Sequence, residues 1–217
     1  MNSFDTYIFD LDGTLLDTLG DLAASVNYAL RTHGMPEHSI DDVRRFVGNG
    51  VRKLMERAVP DGADNPRFDA AFATFRQHYM AHSLDTTRPY EGIPEALEAL
   101  KARGCHLAVV SNKMMAATQE LCRHFFPDTI EVAIGEDEAA GIRRKPAPDT
   151  VFAALKALGV GKENAVYVGD SDVDIQTACN AGLPCISVLW GFRDRDFLQA
   201  HGATTFISTP QELSSKD

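Results

Sequence analysis

The sequence predicts an α/β fold: a doubly wound parallel sheet with an α-helical domain inserted after the first strand. Three observations predict it. First, short apolar runs recur in alternation with helical patterns, which implies a parallel sheet with right-handed crossovers. Second, the first of these runs, Tyr7-Ile8-Phe9, ends at once in Asp10-Leu11-Asp12-Gly13-Thr14. Third, some four helical patterns separate that strand from the next, too many for a simple crossover.

The first run has the length of a buried strand. Residues two apart on a strand project to one side, so Asp10 and Asp12 crowd one spot at its carboxyl end, where open α/β sheets bind ligands. Two adjacent carboxylates repel unless a proton or a cation intervenes, and a hard divalent ion such as magnesium would serve. Asp12-Gly13 could instead be a hairpin turn. However, Leu19, Leu22, Val26, Ala29 and Leu30 follow at helical rather than strand spacing.

That helix extends to about His33 and stops near Gly34. Ser39 or Asp41 can cap a second helix over Val43–Val47. Gly48-Asn49-Gly50 breaks the pattern before a third helix with Val51, Leu54, Met55 and Ala58. After a loop at Asp61–Pro66, Phe68, Phe72, Phe75 and Tyr79 repeat on one face of a fourth helix, a pattern of core packing. Arg88–Gly92 is a Pro/Gly connector. The inserted domain is therefore 18–88, and the sheet domain is 1–17 with 89–217.

In the second part, Ile93–Leu100 is a helix ending at Gly104, and Leu107–Val110 a strand running into Ser111-Asn112-Lys113. A helix carries Leu121 and Phe125, and Ile130–Ile134 is a strand. Pro148–Leu158 is a helix, Ala165–Val168 a strand leading into Gly169-Asp170, and Ile175–Cys179 a helix closed by Gly182. Cys185–Leu189 and Thr205–Ile207 are strands, and the tail is frayed from Ser214.

Composition limits the function. Twenty-one Lys and Arg against 31 Asp and Glu give a net charge of −10, and the sequence pI is about 5.1. This argues against a nucleic-acid or anionic-membrane binder, while a local cationic pocket can still take a small anion. No apolar run reaches the ~20 residues of a membrane span. No basic-plus-apolar leader is present, so a cytoplasmic location is expected. The four cysteines form no metal-ligand spacing and read as small buried residues, and the seven histidines as surface or core residues.

Chemistry collects at strand ends: Asp10 and Asp12, Ser111, and Gly169-Asp170-Ser171-Asp172-Val173-Asp174, with Lys145 in Arg143-Arg144-Lys145-Pro146. Each piece has a plain alternative. Gly169-Asp170 could be a turn, Asp172 or Asp174 or Ser111 a helix cap, and Lys145 a solvated lysine. Arriving in order along one sheet edge, they supply carboxylates, a hydroxyl and an ammonium, a set suited to phosphoryl transfer.

With these residues in place, the chain resembles the haloacid dehalogenase-like (HAD) superfamily of hydrolases along essentially its whole length. DLDGT at Asp10–Thr14, Ser111, Lys145 with Pro146, and GDSDVD at Gly169–Asp174 match its four motifs. The helical insertion resembles that superfamily's small cap domain on a Rossmann-like core. The DLDGTLLDT opening and Gly48-Asn49-Gly50 are most similar to the phosphoglycolate phosphatase-like subfamily. The resemblance implies that Asp10 is a nucleophile forming an aspartyl-phosphate and Asp12 an acid/base. It implies that Ser111 and Lys145, with Asn112, Gly13 and Thr14, bind substrate, together with Gly48 and Asn49 of the cap. Magnesium would be held by Asp10, Asp170 and Asp174 with Asp12 through its backbone carbonyl.

Asp12 sets the chain apart from the dehalogenases, which lack this acid. Leu22 stands near the place of the cap histidine of the β-phosphoglucomutases, and Lys53, the sole cap lysine, does not match the Schiff-base lysine of phosphonoacetaldehyde hydrolases. The expected partner is a small phosphorylated metabolite, phosphoglycolate first, with pyrophosphate and sugar or nucleotide phosphates open. A phosphotransferase and a non-catalytic phospho-ligand sensor are the rival classes. Specificity is expected from Arg44, Arg45, Asn49 and Arg52. The sequence leaves open whether the protein is a monomer or a homodimer, and whether Lys145-Pro146 is cis.

Overall fold

The computed structural model describes residues 4–214. The tail expected to fray lies, beyond Ser214, outside the described residues. Two compact units are present, one made of the chain up to Leu16 and from Pro89 onward, the other Asp17–Arg88.

The chain opens with β1 (Thr6–Phe9), all four residues buried, and a short β2 (Leu16–Asp17). The helical unit contains α1 (Leu19–Thr32), α2 (Ile40–Phe46), α3 (Val51–Ala58) and α4 (Phe68–His82). Of the two candidate caps, Ser39 starts α2: its hydroxyl accepts from the Asp42 amide, and the Asp42 carboxylate accepts from the Ser39 amide. On α4, Phe68, Phe75 and Tyr79 are buried as the stripe predicts, while Phe72 is half-buried. The loop expected at Asp61–Pro66 contains a 3-10 turn at Gly62–Asp64.

Asp21, 2% exposed on the first turn of α1, closes this unit at its ends. Its carboxylate accepts from the amides and hydroxyls of Thr86 and Thr87 at 2.6–3.2 Å. Thr87 directly precedes β3 (Arg88–Pro89), which pairs with β2 in a two-stranded ribbon.

The second unit continues with α5 (Ile93–Ala102), β4 (His106–Met114), α6 (Met115–Phe125), β5 (Val132–Glu136) and α7 (Asp149–Leu158). Then come β6 (Ala165–Gly169), α8 (Asp172–Ala181), β7 (Cys185–Val188), α9 (Arg195–Ala200) and β8 (Phe206–Ile207). The six-stranded sheet has the order β5-β4-β1-β6-β7-β8, and its pairings are parallel. From β1 the chain winds outward to β5, then returns to β6 on the other side of β1. The switch point of this doubly wound, Rossmann-like sheet is therefore at β1, and ligands bind beyond the strand ends there.

Alternation along the strands fills both faces. Tyr7, Phe9, Leu107, Val109, Val166 and Val168 pack on one side. Ile8, Ala108, Val110, Tyr167, Val151 and Ala178 pack on the other. Each fully buried Ile or Phe here stabilises the fold by about 1.5–3 kcal/mol.

Four points of the sequence reading need correction. β4 runs on through Ser111, Asn112 and Lys113, past a register shift after Val110; these polar residues are buried by what surrounds them, which no local periodicity reveals. α9 has no counterpart among the expected elements, although Asp194 caps it, accepting from the Phe197 amide at 2.8 Å. Cysteine burial holds for Cys105 and Cys122, but Cys185 is half-buried and Cys179 exposed, on the outer side of α8. His78 and His82, four residues apart on α4, stack at 4.3 Å, a spacing that the sequence reading passes over. Among the described residues no helix is long and apolar enough to cross a membrane.

Candidate active site

The register of β1 places the site. Phe9 lies level with Val109 of β4 and Val168 of β6, so Asp10 and Asp170, each directly past its strand, come out beside Ser111, which lies within the longer β4. The Asp10 amide is anchored on the Val168 carbonyl at 2.9 Å.

At the centre is Lys145, 3% exposed, on the loop before α7; its bond to Pro146 is cis. Its ammonium lies 2.6 Å from Asp10 Oδ1, 2.8 Å from Asp174 Oδ1 and 3.1 Å from the Tyr167 hydroxyl. Asn112 holds the lysine's backbone at both ends, accepting from the Lys145 amide at 2.6 Å and donating to its carbonyl at 3.1 Å. Asn112, expected to bind substrate, thus also holds the lysine's backbone in place.

Asp10, Asp170 and Asp174 each place a carboxylate oxygen within 4.8 Å of the other two. Asp170 is fixed by the Phe192 amide at 2.6 Å and the Thr14 hydroxyl at 3.4 Å, while the Thr14 carbonyl accepts from Trp190 Nε1 at 2.9 Å. Asp174 sits in the first turn of α8, where the Ser171 amide and hydroxyl donate to Oδ2 and Tyr167 donates to Oδ1. Gly13 has φ +89°, and a Cβ there would collide with the Asp170 carboxylate and the Phe192 ring. Only glycine fits that turn without strain.

Charge makes this cluster demanding. Of the three carboxylates, Asp10 and Asp174 are bonded to the Lys145 ammonium, while the charges of Arg193 and Lys145 act on Asp170. Burial, then the Asp174 charge, push the Asp10 carboxyl well above its usual range, against the pull of Lys145. The same two causes raise Asp170 to about 7. Burial by itself would lower Lys145, but Asp10 and Asp174 outweigh it and hold the ammonium above its usual value. A group of buried oxygen donors with surplus negative charge is a fit for a hard cation.

Asp12 stands outside this triad. Its Oδ1 pairs with Lys113 Nζ at 3.1 Å, and the Ser111 hydroxyl reaches its Oδ2 at 3.4 Å. Lys113 and Tyr167 are the site residues that the sequence reading missed. Lys113 directly follows Ser111-Asn112, which was signal enough; Tyr167 is hidden in an apolar strand.

In the helical unit the expected specificity residues are engaged locally. Asn49 Oδ1 accepts from Arg57 at 2.6 Å, and Arg57 also donates to the Phe46 carbonyl, which shapes the Gly48-Asn49-Gly50 turn. Arg52 lies over the Phe68 ring at 5.0 Å and pairs with Glu56. Arg44 pairs with Asp41, and Arg45 with Asp42.

Residues 7–188 match the family model of the haloacid dehalogenase-like hydrolases. The chain belongs to that family. A phosphoglycolate phosphatase from Aquifex aeolicus is 36% identical over 187 residues, 85% of this chain and 84% of that protein. An N-acetylmuramic acid 6-phosphate phosphatase from Pseudomonas aeruginosa is 30% identical, covering 95% of this chain and 91% of its own length. Among solved structures, a protein from Lactobacillus delbrueckii subsp. bulgaricus, thought to be a phosphoglycolate phosphatase, superposes with a TM-score of 0.93 at 37% identity, over 98% of this chain and 97% of that one. This haloacid dehalogenase-like enzyme is a phosphoric monoester hydrolase.

Proposed function

We propose that the enzyme hydrolyses a small phosphate monoester, phosphoglycolate first, in a magnesium-dependent reaction through an aspartyl-phosphate on Asp10. The observation that carries this is the position of Asp10, buried between the Lys145 ammonium and the Asp170–Asp174 carboxylates. A carboxylate so placed can attack phosphorus only where cations offset both its own charge and the incoming phosphate.

Asp10 and Asp170 would hold magnesium, with the Asp12 backbone carbonyl, and Asp174 would support that shell. When bound, the ion neutralises the carboxylate cluster and polarises a phosphoryl oxygen. Lys145 and Ser111 orient the remaining phosphoryl oxygens. An Asp10 oxygen bonds to phosphorus as the ester P–O bond breaks, and the leaving oxygen takes a proton from Asp12. Asp12 then accepts a proton from water, whose oxygen attacks phosphorus and releases Asp10 and inorganic phosphate.

Relatives named for phosphoglycolate and for N-acetylmuramic acid 6-phosphate define the comparison to make. Phosphate release is measured with magnesium over those two esters, other sugar and nucleotide phosphates, and pyrophosphate. The expected result is strongest turnover of phosphoglycolate, loss in chelator with recovery on adding magnesium, and loss in Asp10→Asn by about 1000-fold or more. Full activity in chelator would refute the metal, and substantial activity in Asp10→Asn would refute the nucleophile. Transfer to added alcohols in preference to water would identify a phosphotransferase.

A further inference from the structure

We infer that Lys113 is a positioning residue for Asp12, and that it serves the half of the reaction in which Asp12 draws a proton from water. The inference rests on the aspartyl-phosphate reading above and deepens it.

The site contains two buried lysines, and they pair with different carboxylates. Lys145 faces Asp10 and Asp174. Lys113, 5% exposed, faces Asp12 at 3.1 Å. A buried ammonium is costly unless it is paired, so its placement needs a reason. Phosphoryl orientation is already supplied by Lys145, at the centre of the carboxylate cluster.

The surroundings of Lys113 make it a fixed strut. It lies on the far end of β4, its amide donates to Ser111 Oγ at 3.1 Å, and its carbonyl accepts from the Thr118 hydroxyl at 3.4 Å. Ser111 Oγ in turn reaches Asp12 Oδ2. The two oxygens of Asp12 are therefore held from one short stretch of β4, one by a hydroxyl and one by an ammonium. Asp12, with 16% of its side chain exposed, is more open than Asp10, Asp170 or Asp174, so its held carboxylate has access to water.

The pairing defines which half-reaction benefits. When Asp10 bonds to phosphorus and the ester bond breaks, the Asp12 proton leaves with the alcohol, and Asp12 becomes a carboxylate. That is the form an ammonium partner holds in place. From there Asp12 takes a proton from water, the water oxygen bonds to phosphorus, the Asp10–phosphorus linkage breaks, and phosphate departs. Lys113 keeps its own proton throughout.

The test is rapid-quench kinetics of Lys113→Met and Lys113→Gln with magnesium and phosphoglycolate, following alcohol release, phosphate release and the mass of the phosphorylated chain. The expected result is dephosphorylation slowed by about 10–100-fold, within the range of general-base effects. Phosphorylation should slow less than about threefold, phosphorylated protein should accumulate, and KM should not rise. In an Asp12→Asn background, Lys113→Met should then add almost nothing, as for residues acting through one another. Equal slowing of both half-reactions, a raised KM with unchanged kcat, or an additive loss in the Asp12→Asn background would each overturn the role. If Lys113→Met does not fold, Lys113→Gln, a polar replacement, carries the same readout. A wild-type enzyme that forms no phosphorylated chain would remove the parent reading, and this inference with it; a phosphorylated wild type with unaffected variants would remove only Lys113.

Discussion

Asp170 shows how this site sacrifices stability. Its carboxyl is raised to about 7 by burial and by Asp174. An acid raised in the folded state binds more protons folded than unfolded between its two values, so stability falls as pH rises through that window. In chelator, the protein should therefore lose stability from about pH 4 to pH 7, and magnesium should flatten the slope. Asp170→Asn should be inactive yet melt about 4 °C or more higher in chelator, since one charge of the cluster is gone. Thermal melts across pH with and without magnesium check this; a flat profile in chelator would contradict it. Tyr167 belongs to the same network through Lys145 and Asp174. Tyr167→Phe removes one donor and one acceptor from a buried network and should cost about 1–3 kcal/mol in urea denaturation. It should also lower kcat about tenfold by loosening Lys145, with KM tested alongside.

At the scale of elements, the ends of the helical unit are tied by one buried carboxylate. Asp21 on α1 takes bonds from the amides and hydroxyls of Thr86 and Thr87. Asp21→Ala would leave buried donors without an acceptor, and a loss of about 3 kcal/mol is expected in urea denaturation. Asp21→Asn, which keeps one acceptor oxygen, should cost less. A change below about 0.5 kcal/mol in the alanine variant would mean that water replaces the carboxylate. Element existence was legible where apolar periodicity was strong: β1, α1, α4, β6 and α8 stand where the spacing puts them. β4 was read short because Ser111, Asn112 and Lys113 look like a loop, although burial and pairing extend the strand.

For the whole molecule, thiol chemistry reports which parts are closed. Burial, with a smaller contribution from Asp12, pushes the Cys122 thiol up to about 12. Burial, followed by Asp174, does the same for Cys185, and burial raises Cys105. Cys179 is the exposed one. With a thiol-specific disulfide reagent near pH 8, one cysteine per native chain should react rapidly and all four on denaturation. More than one fast thiol would show that the core opens readily.

By itself the sequence determined the alternation of strands and helices in a doubly wound parallel sheet, and that Asp10 and Asp170 directly follow β1 and β6. These features are local: an apolar period fixes an element, and a polar residue after it marks where the element stops. Only the tertiary structure decided what each polar residue meets. It turned Asn112 onto the Lys145 backbone, buried Lys113 against Asp12, brought Tyr167 beneath Lys145, and left Cys179 in solvent. Burial and charge pairing depend on groups far apart in the chain, such as Asp10 and Lys145, 135 residues from one another. No local pattern encodes which of them will share a site.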